Sequence, residues 1–247
     1  MNKSYVIRAG HFTAAQKKAY ESLSPKFIIP FNEEKLDFQK VFENRHGVTM
    51  EIGFGMGIAT AEIAQANPQK NYLGIEVHRP GVGRLLWEIE KRNLTNIRII
   101  EYDAVAIVEK MLPENSLDAI HVFFPDPWPK KRHHKRRLIK LPFTQNLAAC
   151  LKPQGCFYMT TDWEDYAQSA LEELAATPLL CNAHDGFAPP QEWRPVTKFE
   201  QKGTARGHII REICFIKSSL SGLTLLPLGT GTVNKVLNVT GDKIESK

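Results

Sequence analysis

Four acids each sit at or just after the end of a short apolar run. Glu51 follows "VTM", Glu76 follows "YLGI", Asp103 follows "IRII" by two residues, and Asp126 follows "HVFF" by one. After the first acid, "EIGFGMG" places glycines at 53, 55 and 57. Glycines so spaced allow a tight turn and let a ligand approach the backbone. A dinucleotide fingerprint is GxGxxG, with pyrophosphate on the helix that follows. Here the pattern is GxGxG, and Glu51 stands beside it. A carboxylate there is a poor neighbour for phosphate and a good one for a cation. S-adenosylmethionine carries a sulfonium and an ammonium and no phosphate, so the loop suits that donor better than NAD. Glu76 is placed to accept both ribose hydroxyls, and Asp103 to reach an adenine amino group across the same crevice. Any one of these acids is readable as a helix N-cap or a solvated loop charge. The set points to an adenosyl ligand.

The fourth acid has unusual company. "PDPWPKKRHHKRRL" runs from Pro125 to Leu138. Pro125 and Pro127 restrict the backbone on both sides of Asp126. Trp128 offers an aromatic surface, either for stacking or for packing under the loop. Lys130 then opens a run in which six of eight residues are Lys or Arg. From Pro127 to Thr161 there are eight basic residues and no acid, whereas the rest of the chain is formally −3 within a net charge of +5. A local positive field of this kind steers anions, nucleic acid above all. Phosphate contacts position such a partner, and aromatic stacking on an unpaired base is the usual RNA mode.

The elements that must carry these residues alternate. Apolar runs at Val48–Phe54, Tyr72–Val77, Ile97–Ile100, Leu117–Phe124 and Cys156–Thr160 read as strands. Helical patterns fall between them at Ile58–Ala66, Val82–Arg92, Ala104–Met111, Leu138–Leu151 and Trp163–Ala176. That alternation predicts a doubly wound α/β fold on a parallel sheet, with ligands at the carboxyl ends of the strands. Leu179–Ala183 and His208–Lys217 read as two more strands. With no helix expected between them, they should pair antiparallel at one edge. Residues 1–46 read as an N-terminal extension, 47–217 as the catalytic domain and 218–247 as a poorly ordered tail.

Composition excludes several classes. The 247 residues are 43% hydrophobic and 24% charged, ordinary for a globular domain. No run of about 18 apolar residues marks a transmembrane helix, and the N-terminus lacks a signal-peptide core. The expected location is therefore the cytoplasm. Cys150, Cys156, Cys181 and Cys214 lack CxxC spacing and read as buried small hydrophobes, so no metal is expected.

Beyond these readings, the chain resembles a known family over about residues 5 to 217. "EIGFGMG", "GIEVHRPGVGRLL", "FFPDPWPKKRHHKRRL", "TDWEDYA" and "TKFEQKG", with Gly207–His208, are similar to motifs of the bacterial tRNA (guanine-N7)-methyltransferases, the TrmB family. The resemblance implies a Rossmann-like class I methyltransferase with a mostly parallel seven-stranded sheet and an antiparallel C-terminal edge strand. It implies methyl transfer from S-adenosylmethionine to N7 of a guanosine in the tRNA variable loop. Glu51, Gly53, Gly55, Gly57, Glu76, Asp103 and Asp126 then correspond to cofactor positions, and Asp126 to the catalytic one. Lys130, Asp162, Thr197, Lys198, Phe199 and Glu200 correspond to substrate positions. Arg132, His133, His134, Lys135, Arg136 and Arg137 correspond to an RNA-contacting stretch. Where the family often has Arg-x-Gly-Arg, this chain has Arg8-Ala9-Gly10-His11. The resemblance implies tRNA as partner and suggests no obligate protein partner. The alternatives are a methyltransferase for small molecules or proteins, which would not need the basic run, and a non-catalytic RNA-binding module, which would not need the acids.

Overall fold

The computed structural model describes residues 4–5 and 12–219; the Arg8–His11 segment and, of the expected tail, everything beyond Ser219 lie outside the described residues. Seven strands form one sheet in the order β3-β2-β1-β4-β5-β7-β6. They are β1 (Val48–Ile52), β2 (Asn71–Ile75), β3 (Ile97–Ile100), β4 (Leu117–Phe123), β5 (Leu151–Thr161), β6 (Leu180–Asn182) and β7 (Arg211–Lys217). The first five are mutually parallel, and β7 runs antiparallel to both of its neighbours. The reversed strand is thus one place in from the edge, with β6 outside it. The strand order reverses between β1 and β4. Ligands of open α/β sheets bind at such a switch point.

Every residue of β1 and β2 is buried because helices cover both faces. On one face lie α1 (Ala14–Phe27), α3 (Ile58–Ala66) and α4 (Arg79–Arg92), contributing Ala19, Ala61, Leu85 and Ile89 to a common core. On the other lie α5 (Ala104–Lys110), α6 (Phe143–Cys150) and α7 (Glu164–Ala175), where Ile107, Leu147 and Tyr166 meet Ile120, Phe157 and Phe215. The short α2 (Phe38–Phe42) adds Phe42 to this second core.

Residues 12–46, read from sequence as an extension, are docked on this frame. Thr13 and Gln16 form a capping box that starts α1. Gly83 of α4 lets α1 approach, since a methyl group there would lie 2.5 Å from the Phe12 ring and 3.2 Å from the Gln16 carbonyl oxygen. Past α1, the Ile29 amide donates to the Ile99 carbonyl at 2.8 Å, so the chain covers the open edge of β3. Few buried apolar side chains mark α1, which is why its periodicity is faint.

Three expectations need correction. The helix expected over Leu138–Leu151 is only α6, because Pro142 precedes its first turn and β5 already begins at Leu151. The strand pairing shifts between Leu117 and Ala119, which absorbs the extra β5 residues. A helix does lie between β6 and β7: α8 (Lys198–Thr204), started by a Thr197–Glu200 capping box. Cys181 is exposed on the edge strand, not buried; Cys156 and Cys214 are partly exposed.

Candidate active site

The glycine loop sits at the carboxyl end of β1. Gly53, Gly55 and Gly57 all have positive φ, at 74°, 57° and 67°. A side chain at Gly53 or Gly55 would meet open space, whereas one at Gly57 would strike Leu85 at 2.7 Å. The first two therefore leave a cradle in front of the loop, and the third seats α3 against α4. Glu76 fastens the loop from β2: its carboxylate accepts from Gly55 at 2.8 Å, Val77 at 2.7 Å and His78 at 3.0 Å. It therefore shapes the cradle as well as facing it. Asp103 caps α5 by accepting from the Ala106 amide at 3.0 Å. The Tyr5 phenol is raised above its usual pKa, first by burial and then by Asp103 and Tyr102, which places Tyr5 near Asp103.

Glu51 is buried and makes no ion pair among the described residues. Burial pushes its carboxyl up to about 7, with Glu76 adding to the rise; the nearby Thr60 hydroxyl opposes it, though it stands outside full hydrogen-bond geometry. An unpaired buried acid beside an open glycine cradle fits a cationic ligand and not a phosphate. A cation there favours the ionised form. Binding of S-adenosylmethionine should then release a proton near neutral pH, with affinity rising between about pH 6 and 8. Calorimetry in buffers of different ionisation enthalpy measures this, and a buffer-independent heat would refute it. Without the donor, the folded protein holds a proton that the unfolded chain gives up. The resulting stability is full below the ordinary value of 4.5 and is lost as pH rises through about 7.

Across the switch point, Phe124 and Trp128 take left-handed backbone angles, with φ of 50° and 48°. They bracket Asp126, which is exposed and makes no hydrogen bond or ion pair among the described residues. The Phe124 amide donates to the Thr160 carbonyl at 2.9 Å, fixing where the chain leaves β4. Trp128 packs inside the corner. Its indole N–H donates to the Ser4 carbonyl at 3.1 Å, Arg136 lies 4.6 Å over its ring, and His133 meets it edge-on.

The basic stretch forms a short 3-10 helix of two turns, Lys131–Arg136. Lys130, Lys131, Arg132 and Lys135 are exposed and make no ion pair among the described residues. The His133 ring is held below its usual pKa, by desolvation and by the cations around it. His134 approaches Arg137 and Asp165. Arg137 is the exception to the exposed surface. Its side chain is 4% exposed, donates to the Pro127 carbonyl at 3.1 Å, pairs with Asp165 and lies over Tyr166. Its charge is spent on holding the corner. Arg137→Ala should therefore lower stability by about 2–3 kcal/mol, while Arg132→Ala leaves it unchanged. Urea denaturation of both variants distinguishes this from six equivalent surface charges.

The remaining expected positions gather around α8. Asp162, just past β5, lies 2.9 Å from His208 Nδ1 and packs against Gly203. Glu200 is buried and takes both guanidinium nitrogens of Arg194, at 2.5 and 2.9 Å. Arg194 also reaches Glu212 at 2.7 Å, and Glu212 accepts from Tyr158. Thr197 caps the helix, while Lys198 and Phe199 point outward. Both carboxylates expected to face a substrate are thus held by protein partners. Sequence reasoning missed Arg194 and the structural work of Arg137. The adjoining "RP" before the capping box carries no signal for a buried ion pair.

With this geometry in place, comparison with known proteins is informative. A family model described as "Putative methyltransferase" matches residues 45–213. The tRNA (guanine-N(7)-)-methyltransferase of Nitrosospira multiformis is 50% identical over 215 residues, covering 87% of this chain and 94% of the relative. That of Paracidovorax citrulli is 51% identical over 213 residues, covering 86% of each. Among solved structures, the 16S rRNA methyltransferase KamB superposes with a TM-score of 0.53 at 14% identity, covering 86% of this chain and 98% of that one. This last likeness is one of fold.

Proposed function

The chain belongs to the tRNA (guanine-N(7)-)-methyltransferase family, and from that membership we infer how its parts carry out the reaction. The protein transfers a methyl group from S-adenosylmethionine to N7 of guanine in tRNA. We propose that the guanosine lies in the variable loop and that the enzyme works in the cytoplasm, where tRNA is found. No helix among the described residues is long and apolar enough to cross a membrane.

Guanine N7 carries an in-plane lone pair in its neutral form and is an acceptor. No base is needed to deprotonate it. The donor, when bound, supplies an electrophilic methyl on a sulfonium. The protein's task is alignment, which contributes on the order of 7–11 kcal/mol in favourable cases. In this reading Glu51, Glu76, Asp103 and the Gly53–Gly57 loop hold the donor. Asp126 orients the guanine edge and complements the positive charge that develops on the base. Lys130, Arg132 and Lys135 take phosphates, and His133 and His134 line the same surface. Asp162 and the Thr197–Glu200 segment border the base; the ties of Asp162 to His208 and of Glu200 to Arg194 argue that they shape the pocket wall.

The observation that carries this reading is the unpartnered Asp126 carboxylate at the switch point, beside the glycine loop and ahead of unpaired cations. Incubation with labelled donor and unmodified tRNA, followed by mapping of the modified base, tests it. Label at N7 of a variable-loop guanine is expected. Label on amines or protein instead would overturn it.

A further inference from the structure

Cations on α8 stand in the same relation to the site as those of the corner. Lys198, Lys202 and Arg206 are spaced four residues apart, and the helical bonding continues past Thr204, with Ala205 and Arg206 donating back to Gln201 and Gly203. Residues four apart share one helix face. All three are exposed and make no ion pair among the described residues. The acids that touch this helix are already taken: Glu200 by Arg194 and Asp162 by His208. The positive charge of the outer face is therefore not neutralised from beneath. Phe199 is 70% exposed on the same helix; Val196, three residues before it, is 61% exposed, and Ile209, past the helix, 67%. An aromatic ring left so bare is available for stacking.

The helix also lies beside the carboxyl ends of the strands that carry the site. Phe124, at the root of the corner, is bonded to Thr160 of β5. Asp162, two residues further on, is packed against Gly203 of α8. The corner and α8 thus flank the carboxyl ends of β4 and β5 from two sides.

We propose that the outer face of α8 is a second anchoring surface for tRNA: Lys202 and Arg206 extend onto phosphates the substrate contact that the family resemblance already implies for Lys198 and Phe199, whose ring stacks on an unpaired base. The inference rests on the tRNA reading and adds to it a grip separate from the basic corner. Its charge decides the occupant. A row of unpaired cations suits a polyanion and would repel a second copy of the same face.

The test uses the full chain and three variants: the double variant Lys202→Ala with Arg206→Ala, Phe199→Ala, and Phe199→Tyr. Fluorescence anisotropy gives tRNA affinity at two salt concentrations, calorimetry gives donor affinity, and light scattering gives mass. The double variant should bind tRNA about 10-fold more weakly, with a salt slope reduced by about 2. Phe199→Ala should also lose about 10-fold, with the slope unchanged, and Phe199→Tyr should restore it. Donor affinity should stay constant throughout. Unchanged tRNA binding by the double variant and by Phe199→Ala overturns the inference, as does a fall in mass without a change in tRNA binding. Those outcomes leave the functional reading standing if the parent protein methylates tRNA. A parent that neither binds nor methylates tRNA overturns both.

Discussion

Asp126→Asn should give a folded protein that binds tRNA and donor but turns over about 10²–10³ more slowly, a loss of about 2.7–4 kcal/mol of transition-state stabilisation. The substitution preserves size and one acceptor oxygen, the other becoming a donor NH2. It removes the negative charge that, in the proposed mechanism, complements the guanine ring as it becomes cationic. Because Asp126 is exposed and ties down no other group, its loss does not loosen the corner. That work is done by Arg137 and by the indole of Trp128. The phosphate contacts remain, so KM for tRNA should move little, and the effect should fall on kcat. This pattern marks an interaction made in the transition state and not in the ground state. Turnover close to that of the parent, in a protein of unchanged melting temperature, would remove Asp126 from the chemistry.

Gly81→Ala should be nearly as damaging by a different route. A methyl group at Gly81 would overlap the carbonyl oxygen of Gly55. Alanine is the better helix former by about 0.8–1.0 kcal/mol, so propensity alone predicts a gain. Overpacking costs about 1–3 kcal/mol and should reverse the sign. The greater consequence is functional. To admit the methyl, the glycine loop must move away from α4, and a displacement of about 1 Å at a positioning element can lower activity about 100-fold. Gly83→Ala provides the contrast, since its methyl would strike Phe12 and the Gln16 carbonyl and so disturb α1 while sparing the loop. Calorimetric donor binding should fall steeply in the first variant and hold in the second. Equal donor affinity in the two would show that the approach of α4 to Gly55 is not what shapes the cradle.

The legible part of this protein was the part with strong periodicity. β1 and β2 are buried along their whole length because both faces are covered, and Glu51 and Glu76 lie towards their carboxyl ends, where the topology rule puts ligand-binding groups. The helix over Ile58–Ala66 was read to its last residue, since Pro68 and the glycine loop punctuate both ends. The alternation failed where packing is carried by few or polar residues. The buried face of α1 is Gln16, Ala19 and Phe27, too sparse to show a period. That of α8 is Glu200 and Gly203, which is legible only to a reader who already knows that Arg194 awaits the carboxylate. Residue types pointed to the crevice proposed for the donor, since glycines and acids at strand ends have few other uses in combination. They did not reveal which charges were spent internally. Arg137 and Arg132 look alike in a basic run, and only the fold distinguishes a buried guanidinium from an exposed one.

The reversal of β7 has a consequence for adaptability. Because β6 and β7 are antiparallel, the chain between them, residues 183–210, leaves and re-enters the sheet at the same end, above the crevice. A parallel partner would have required a return across the sheet and a crossover helix. The connection is free of that duty. Lengthening it is thermodynamically mild, at about 0.6 kcal/mol for each doubling of a flexible loop. Its outer turns can therefore vary in length with the sheet, the glycine loop and the corner left as they are, provided that Arg194 and His208 keep their ties to Glu212 and Asp162.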